Sequence, residues 1–278
     1  MTLPAVHAGR ASPFGSDLAL RAVSALVLAV VAFTGAWFGG WLAALVVAAA
    51  VVVVHLEWIG LTGDQHRPML LFTAGLVVAV AVATAGYPGS ALILVLALIV
   101  TAGATSRDPW RPAGVVYAAT LGFGVLLICL SPAFSRTATV FLLIVVSATD
   151  TGAFFAGRLI GGARLWPALS PNKTWAGAIG GLVAGVVAGG IVAEIAGLPV
   201  SWVLFAVAFA LALVSEAGDL LESWIKRRFG AKDSGRLVPG HGGFMDRVDG
   251  LTAAAGLAAL IGWLHGGAGN IAGGLVAW

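Results

Sequence analysis

Residues 40–60 read GWLAALVVAAAVVVVHLEWIG, 21 residues in which Glu57 is the single charged side chain. As an α-helix rising about 1.5 Å per residue, such a run matches the roughly 30 Å depth of bilayer hydrocarbon. Its apolar residues are continuous and do not alternate, which favours a helix over a barrel strand. Working outward, comparable runs lie near 18–36, 69–86, 90–105, 113–131, 137–157, 175–197, 200–222 and 248–265. The expected fold class is therefore all-α, a polytopic membrane helix bundle of about nine transmembrane helices.

Composition agrees. Of 278 residues, 60% are hydrophobic and 10% charged, against about a quarter charged in a soluble domain. A water-soluble globule has too little polar cover for this much apolar surface. The single cysteine, Cys129, excludes an internal disulfide framework and a four-cysteine zinc site. Short connections carry helix breakers at Gly39-Gly40, Gly86-Tyr87-Pro88-Gly89, Ser131-Pro132 and Gly197-Leu198-Pro199. Two connections, 158–174 and 223–247, are longer and polar. They divide the expectation into an N-terminal transmembrane region, 1–136, of about five spans, and a C-terminal catalytic transmembrane region, 137–278, whose polar stretch is 215–250.

With nine spans, 14 of the 15 basic residues fall on the side of the N-terminus and Arg136 alone on the other. Positive charge marks the cytoplasmic side. The N-terminus and both long loops are expected in the cytoplasm and the C-terminus outside, in a multi-pass protein integral to the cell inner membrane. No small-residue cleavage site follows the first span, so an uncleaved anchor is expected. Gly177, Gly181, Gly185 and Gly189 recur every four residues. They form a stripe for close helix packing, within the chain or in a homodimer.

The densest polar stretch runs from Ser215 to Asp249. Asp219, Glu222, Ser223 and Lys226 stand at i, i+3, i+4 and i+7 on one helix face, with Glu216 a turn earlier. An Asp at mid-depth in a bilayer costs about 2.5–3.5 kcal/mol. It needs a partner, a wet cavity or a metal; for Glu222 a salt bridge to Lys226 is the simpler reading. Arg227, Arg228, Lys232, Asp233 and Arg236 follow, then Pro239-Gly240-His241-Gly242-Gly243. Glycines let backbone amides approach phosphate, and Lys and Arg supply charge. Asp246 and Asp249 are one turn apart next to Arg247. With Asp219 they offer oxygen ligands for Mg²⁺, unless they serve instead as acidic stabilisation of a helix N-terminus. Upstream, Ser170, Lys173 and Thr174 form a phosphate-binding pattern at a helix start. Asp150 lies inside a span and Arg158 two turns on. An intramembrane acid is a functional hypothesis, and a structural ion pair competes with it. Glu57 reads as a structural or interfacial polar contact. Residue chemistry alone thus ends at metal-dependent phosphate chemistry on the cytoplasmic surface.

The 27 positions Ser223–Asp249, with Ser223-Trp224-Ile225-Lys226-Arg227, Lys232-Asp233-Ser234-Gly235 and Pro239-Gly240-His241-Gly242-Gly243-Phe244-Met245-Asp246-Arg247-Val248-Asp249 in register, resemble the signature of the phosphatidate cytidylyltransferase (CDP-diacylglycerol synthase) family. Ser215–Glu222, Asp150–Arg158 and Ser170–Thr174 also resemble family segments. Ala176 stands where the family usually has Glu, which puts an acid role there in doubt; Val238 is a conservative departure. The resemblance implies transfer of CMP from CTP to phosphatidic acid, giving CDP-diacylglycerol and pyrophosphate, with Mg²⁺ and a monovalent cation such as K⁺. It implies catalytic roles for Asp219, Lys226, Asp246 and Asp249, with Asp219, Asp246 and Asp249 on the metal. Lys173, Ser170, Thr174, Ser223, Arg227, Lys232, Asp233, His241 and Arg247 would meet substrate. Partners would be CTP, phosphatidic acid and membrane lipid, not nucleic acid. A CDP-alcohol phosphotransferase is disfavoured, because Asp249-Gly250-Leu251-Thr252-Ala253-Ala254 lacks that family's Arg. A transporter would suit intramembrane Asp150 and Asp219, but no inverted repeat is evident. A CTP-dependent lipid kinase would be a distant relative of the same family.

Overall fold

The computed structural model describes residues 14–64, 68–238 and 242–278. His241, an expected substrate contact, lies outside the described residues, as do Arg10 and Arg67. The described chain forms α1 (Phe14–Phe38), α2 (Gly40–Thr62), α3 (Pro68–Thr84), α4 (Pro88–Ala104), α5 (Trp110–Cys129) and α6 (Ser135–Leu159). The strands β1 (Arg164–Trp166) and β2 (Ser170–Thr174) follow, then α7 (Trp175–Ile195), α8 (Trp202–Arg228), α9 (Met245–Gly266) and α10 (Ile271–Val276).

Each of the nine expected spans coincides with one of the first nine helices. Six of these, α2 and α5–α9, are long and apolar enough to cross a membrane by length and composition. The segments Val23–Phe38, Met69–Thr84 and Pro88–Ala104 are apolar but shorter, so they do not by themselves establish nine crossings. The chain is a nearly all-helical membrane protein.

Local chemistry sets the helix ends. Gly63 closes α2 at φ 74°, a left-handed value that glycine tolerates. Pro88 opens α4, where its missing N–H has no partner to lose. Thr174 and Ser201 cap α7 and α8, accepting hydrogen bonds from Gly177 N (3.0 Å) and Leu204 N (3.2 Å). α8 runs to Arg228, a turn and a half past its expected end, because Lys226 pairs with Glu222 one turn back and three cations complement the helix C-terminus.

Two apolar cores form. One gathers α2–α5; the other gathers α6–α10 and the end of α5. Ile225 of α8 and Met245 and Val248 of α9 pack in the first core, so it draws on residues from both sides of position 136. Around them an aromatic group joins α2, α5 and α8. Trp58 donates Nε1–H to the Trp110 carbonyl at 2.9 Å, and Trp110 lies 5.7 Å from Trp224 and 5.0 Å from Phe229, centroid to centroid.

The α7 glycine stripe is buried against α6 and α8. A Cβ at Gly177 would lie 2.9 Å from the Ala153 carbonyl oxygen, and one at Gly189 2.9 Å from Ala208 Cβ. The stripe is occupied within the chain and is not free for a second copy, which corrects the homodimer option on this face. The connection 158–174, expected as a loop, contains the antiparallel β1–β2 hairpin, with Arg164 opposite Thr174 and Trp166 opposite Ser170.

Candidate active site

Antiparallel α8 and α9 pack closely enough that glycine is required between them. A Cβ at Gly218 would lie 2.8 Å from the Asp249 carbonyl oxygen, and one at Gly250 2.8 Å from Asp219 Oδ1. This contact sets Asp219 level with Asp249 and Gly250. A turn or two toward the loop, Glu222 and Lys226 stand level with Asp246.

Two lysine–carboxylate contacts organise the site. Lys173 Nζ, on β2, donates to Asp219 Oδ2 at 2.9 Å. The hairpin connection and the α8–α9 pair therefore meet. Lys226 Nζ donates to Asp246 Oδ1 at 2.6 Å and also pairs with Glu222. The second contact is the drier. Side-chain exposure is 14% for Lys226, 6% for Asp246 and 0% for Glu222, against 31% and 22% for Lys173 and Asp219. Dry opposite charges attract far more strongly than wet ones, so the Lys226 cluster is the rigid part and Lys173–Asp219 the adaptable one.

Asp246 is also saturated. Its Oδ2 accepts from Ser234 N (2.9 Å), Ser234 Oγ (3.0 Å) and Gly243 N (2.8 Å). The Gly243 amide, expected to approach phosphate, is engaged by Asp246 instead. Gly242 adopts φ 86°, which requires glycine on backbone grounds.

Asp150 on α6 lies within electrostatic range of Asp219 and Glu216 on α8 and of Asp249 on α9, and of Lys173 and Arg247; Asp219 is in range of each of the other three acids. Tyr117 of α5 is buried within electrostatic range of Asp249, Glu222 and Asp219. Neither Tyr117 nor the clustering of Asp150 and Glu216 is evident from sequence spacing, because the acids come from three helices.

The remaining expected residues divide. Arg227, Lys232, Asp233 and Arg247 are exposed, and Ser170 and Ser223 are half-buried. Thr174 is buried and its hydroxyl caps α7, so its observed contact is with the backbone and not toward the site.

The acids fit a hard cation in part. Asp219 Oδ1 and Glu216 Oε1 are buried without a hydrogen-bond partner, and an oxygen-only donor set suits Mg²⁺. Asp246, by contrast, has both oxygens engaged. Among the described residues no three His, Cys, Asp or Glu side chains converge on one point. The structure thus links Asp219 to Lys173 and Asp246 to Lys226, and does not gather Asp219, Asp246 and Asp249 into one preformed ligand set.

A nearly all-helical membrane bundle with two lysine–carboxylate contacts where two polar connections meet defines a class of membrane-embedded protein with a charged site beside its spans. Residues 19–265 match the model of the cytidylyltransferase family, and the chain belongs to that family. It is 39% identical over 257 residues to the phosphatidate cytidylyltransferases of Brucella suis biovar 1 and Brucella melitensis biotype 1, over 89% of this chain and 94% of each relative. It is 47% identical over 107 residues to the phosphatidate cytidylyltransferase of Staphylococcus haemolyticus, over 38% of this chain and 41% of that protein.

Proposed function

We propose that this chain transfers CMP from CTP to phosphatidic acid, at the cytoplasmic face of the cell inner membrane. A phosphate oxygen of phosphatidic acid attacks the α-phosphorus of CTP. The new P–O bond forms as the bond to the β-phosphate's bridging oxygen breaks, and pyrophosphate leaves with that electron pair. The products are CDP-diacylglycerol and pyrophosphate.

The observation that supports this reading best is the Lys173–Asp219 contact, since it brings a phosphate-binding pattern and the signature acids to one place. The 39% identity to named phosphatidate cytidylyltransferases over 89% of the chain supports the substrate pair. Lys173 can exchange its carboxylate for a phosphate oxygen when substrate enters, because the pair is half-exposed and adaptable. Exposed Arg227 and Lys232 draw the triphosphate, and Arg247 and Ser223 lie along its approach. Lys226, fixed by Glu222 and Asp246, presents charge that needs no reorganisation as negative charge develops.

Asp219 and Asp249 would hold Mg²⁺, while Asp246, in the first turn of α9, holds Lys226. The ion supplies neutralisation of phosphate charge and polarisation of the reacting phosphoryl group. K⁺ is a candidate second ion at the same acids.

CTP labelled separately at the α and γ phosphates tests the reading on purified protein with phosphatidic acid. Label from the α position enters lipid and label from γ is released as pyrophosphate. Label from γ entering lipid would assign a kinase instead, and no lipid label from either would remove the transferase reading. Omitting Mg²⁺ or K⁺ in turn reads each ion requirement.

A further inference from the structure

Glu57 lies near the end of α2, in the N-terminal region, and both of its carboxylate oxygens reach into the signature loop. Oε1 accepts from Phe244 N at 2.8 Å, and Oε2 accepts from Met245 N at 2.6 Å and from Ser234 Oγ at 3.2 Å. The residue at the α9 N-cap position, Phe244, makes no side-chain cap hydrogen bond. The first amides of α9 are therefore satisfied by a side chain from a helix nearly 190 positions away in sequence. An anionic carboxylate is the favoured partner for a helix N-terminus.

Two signature glycines have their explanation here. A Cβ at Gly235 would lie 2.5 Å from Glu57 Oε1, and one at Gly243 2.8 Å from Glu57 Oε2 and closer still to Ser234 Oγ. Neither glycine has a positive φ, so close approach, and not backbone freedom, requires them: of the Glu57 carboxylate at Gly235, and of Ser234, the Gly235 amide and the carboxylate together at Gly243. Ser234, 7% exposed, lies between Glu57 and Asp246, its one hydroxyl hydrogen shared between the two carboxylates while its backbone N–H donates to Asp246. The connected path is Glu57, Ser234, Asp246, Lys226.

We infer that Glu57 is a positioning residue for CMP transfer. It fixes Ser234 and the start of α9, so that Asp246 holds Lys226 in place without Glu57 itself touching substrate. The inference rests on the transferase reading above.

Glu57→Gln keeps the side-chain volume but turns one acceptor oxygen into a donor, so a cap or the Ser234 bridge is lost. In the full chain, assayed with α-labelled CTP, kcat should fall about 10- to 100-fold, the scale of a small misplacement of a catalytic group. The KM for phosphatidic acid should stay within about twofold, as expected where remote positioning and not substrate binding is damaged. Glu57→Asp, which retains the charge, should recover part of the kcat. A wild-type kcat per folded molecule in Glu57→Gln would overturn the inference, as would a loss carried by KM alone. If Glu57→Gln does not accumulate, Ser234→Ala carries the test, since it removes the bridge and leaves both backbone caps. A lowered kcat there supports the path, and an unchanged one overturns it. A wild-type enzyme that places no α-label in lipid would instead sink the transferase reading, so the two failures are distinguishable.

Discussion

Lys226 is the cation that two acids share, and its environment decides what its removal would do. With Glu222 fully buried and Asp246 6% exposed, Lys226→Met would leave two carboxylates without their counter-charge. Breaking a buried ion pair on one side typically costs about 3–5 kcal/mol. We expect a marked drop in the thermal denaturation midpoint of the detergent-solubilised protein together with loss of CMP transfer. An unchanged midpoint would mean that the cluster is wetter than its geometry implies. At this scale the sequence is partly legible. Spacing places Glu222 and Lys226 on one face and anticipates their salt bridge. It also places Asp246 beside Asp249, but not against Lys226. Glu57 is visible as a lone acid in an apolar run, yet its partners lie in the loop around 234–245, and no local pattern links them. The glycines of the signature read as a phosphate cradle by chemistry alone. The structure gives them a different reason, steric room for the Glu57 carboxylate at Gly235 and for Ser234 with that carboxylate at Gly243.

Among the elements, α7 gives the clearest contest between two effects. Gly185→Ala gains about 1 kcal/mol of helix propensity. The added methyl, however, meets Thr149 Oγ1 and comes within 3.0 Å of Ala212 Cβ, and overpacking typically costs about 1–3 kcal/mol. The clash should win, lowering the denaturation midpoint, whereas Val187→Ala on the exposed face of the same helix should change it little. A stabilised Gly185→Ala protein would show that α6 and α8 can give way. Helix positions were legible because an apolar run of crossing length has few competing structures. Their ends were less so. α8 outruns its apolar stretch through charge pairing, and α9 begins before its own through capping by Glu57 and Asp246. The β1–β2 hairpin was hidden because strands of three and five residues leave too short a pattern to read. α10 was hidden because six residues with two central glycines carry almost no helical signal.

For the whole molecule the outstanding quantity is its direction across the bilayer. We propose that the hairpin, the connection between α8 and α9 and the N-terminus lie in the cytoplasm, from the basic-residue asymmetry. Cys129 is the one native thiol and is buried, so its replacement by Ala gives a clean background for labelling. Cysteines introduced at Arg107 and Lys232 should react with a membrane-impermeant maleimide in inverted vesicles, and one at Arg136 only in intact cells stripped of outer barriers. Arg107 and Arg136 reacting from the same side would overturn both the span count and the orientation. The two cores bear on the same question. Because Ile225, Met245 and Val248 pack with α2–α5, the two regions cannot be expected to adopt their native faces independently.

The reach of Glu57 across the chain also limits how far the signature can be treated as a portable unit. A chimaera carrying residues 215–250 on a foreign scaffold would bring the lysines, the acids and both glycines, yet leave the start of its last helix without an anionic lid. Such a transplant should take up the right sequence and the wrong shape unless the recipient's second helix donates an acid at the matching height.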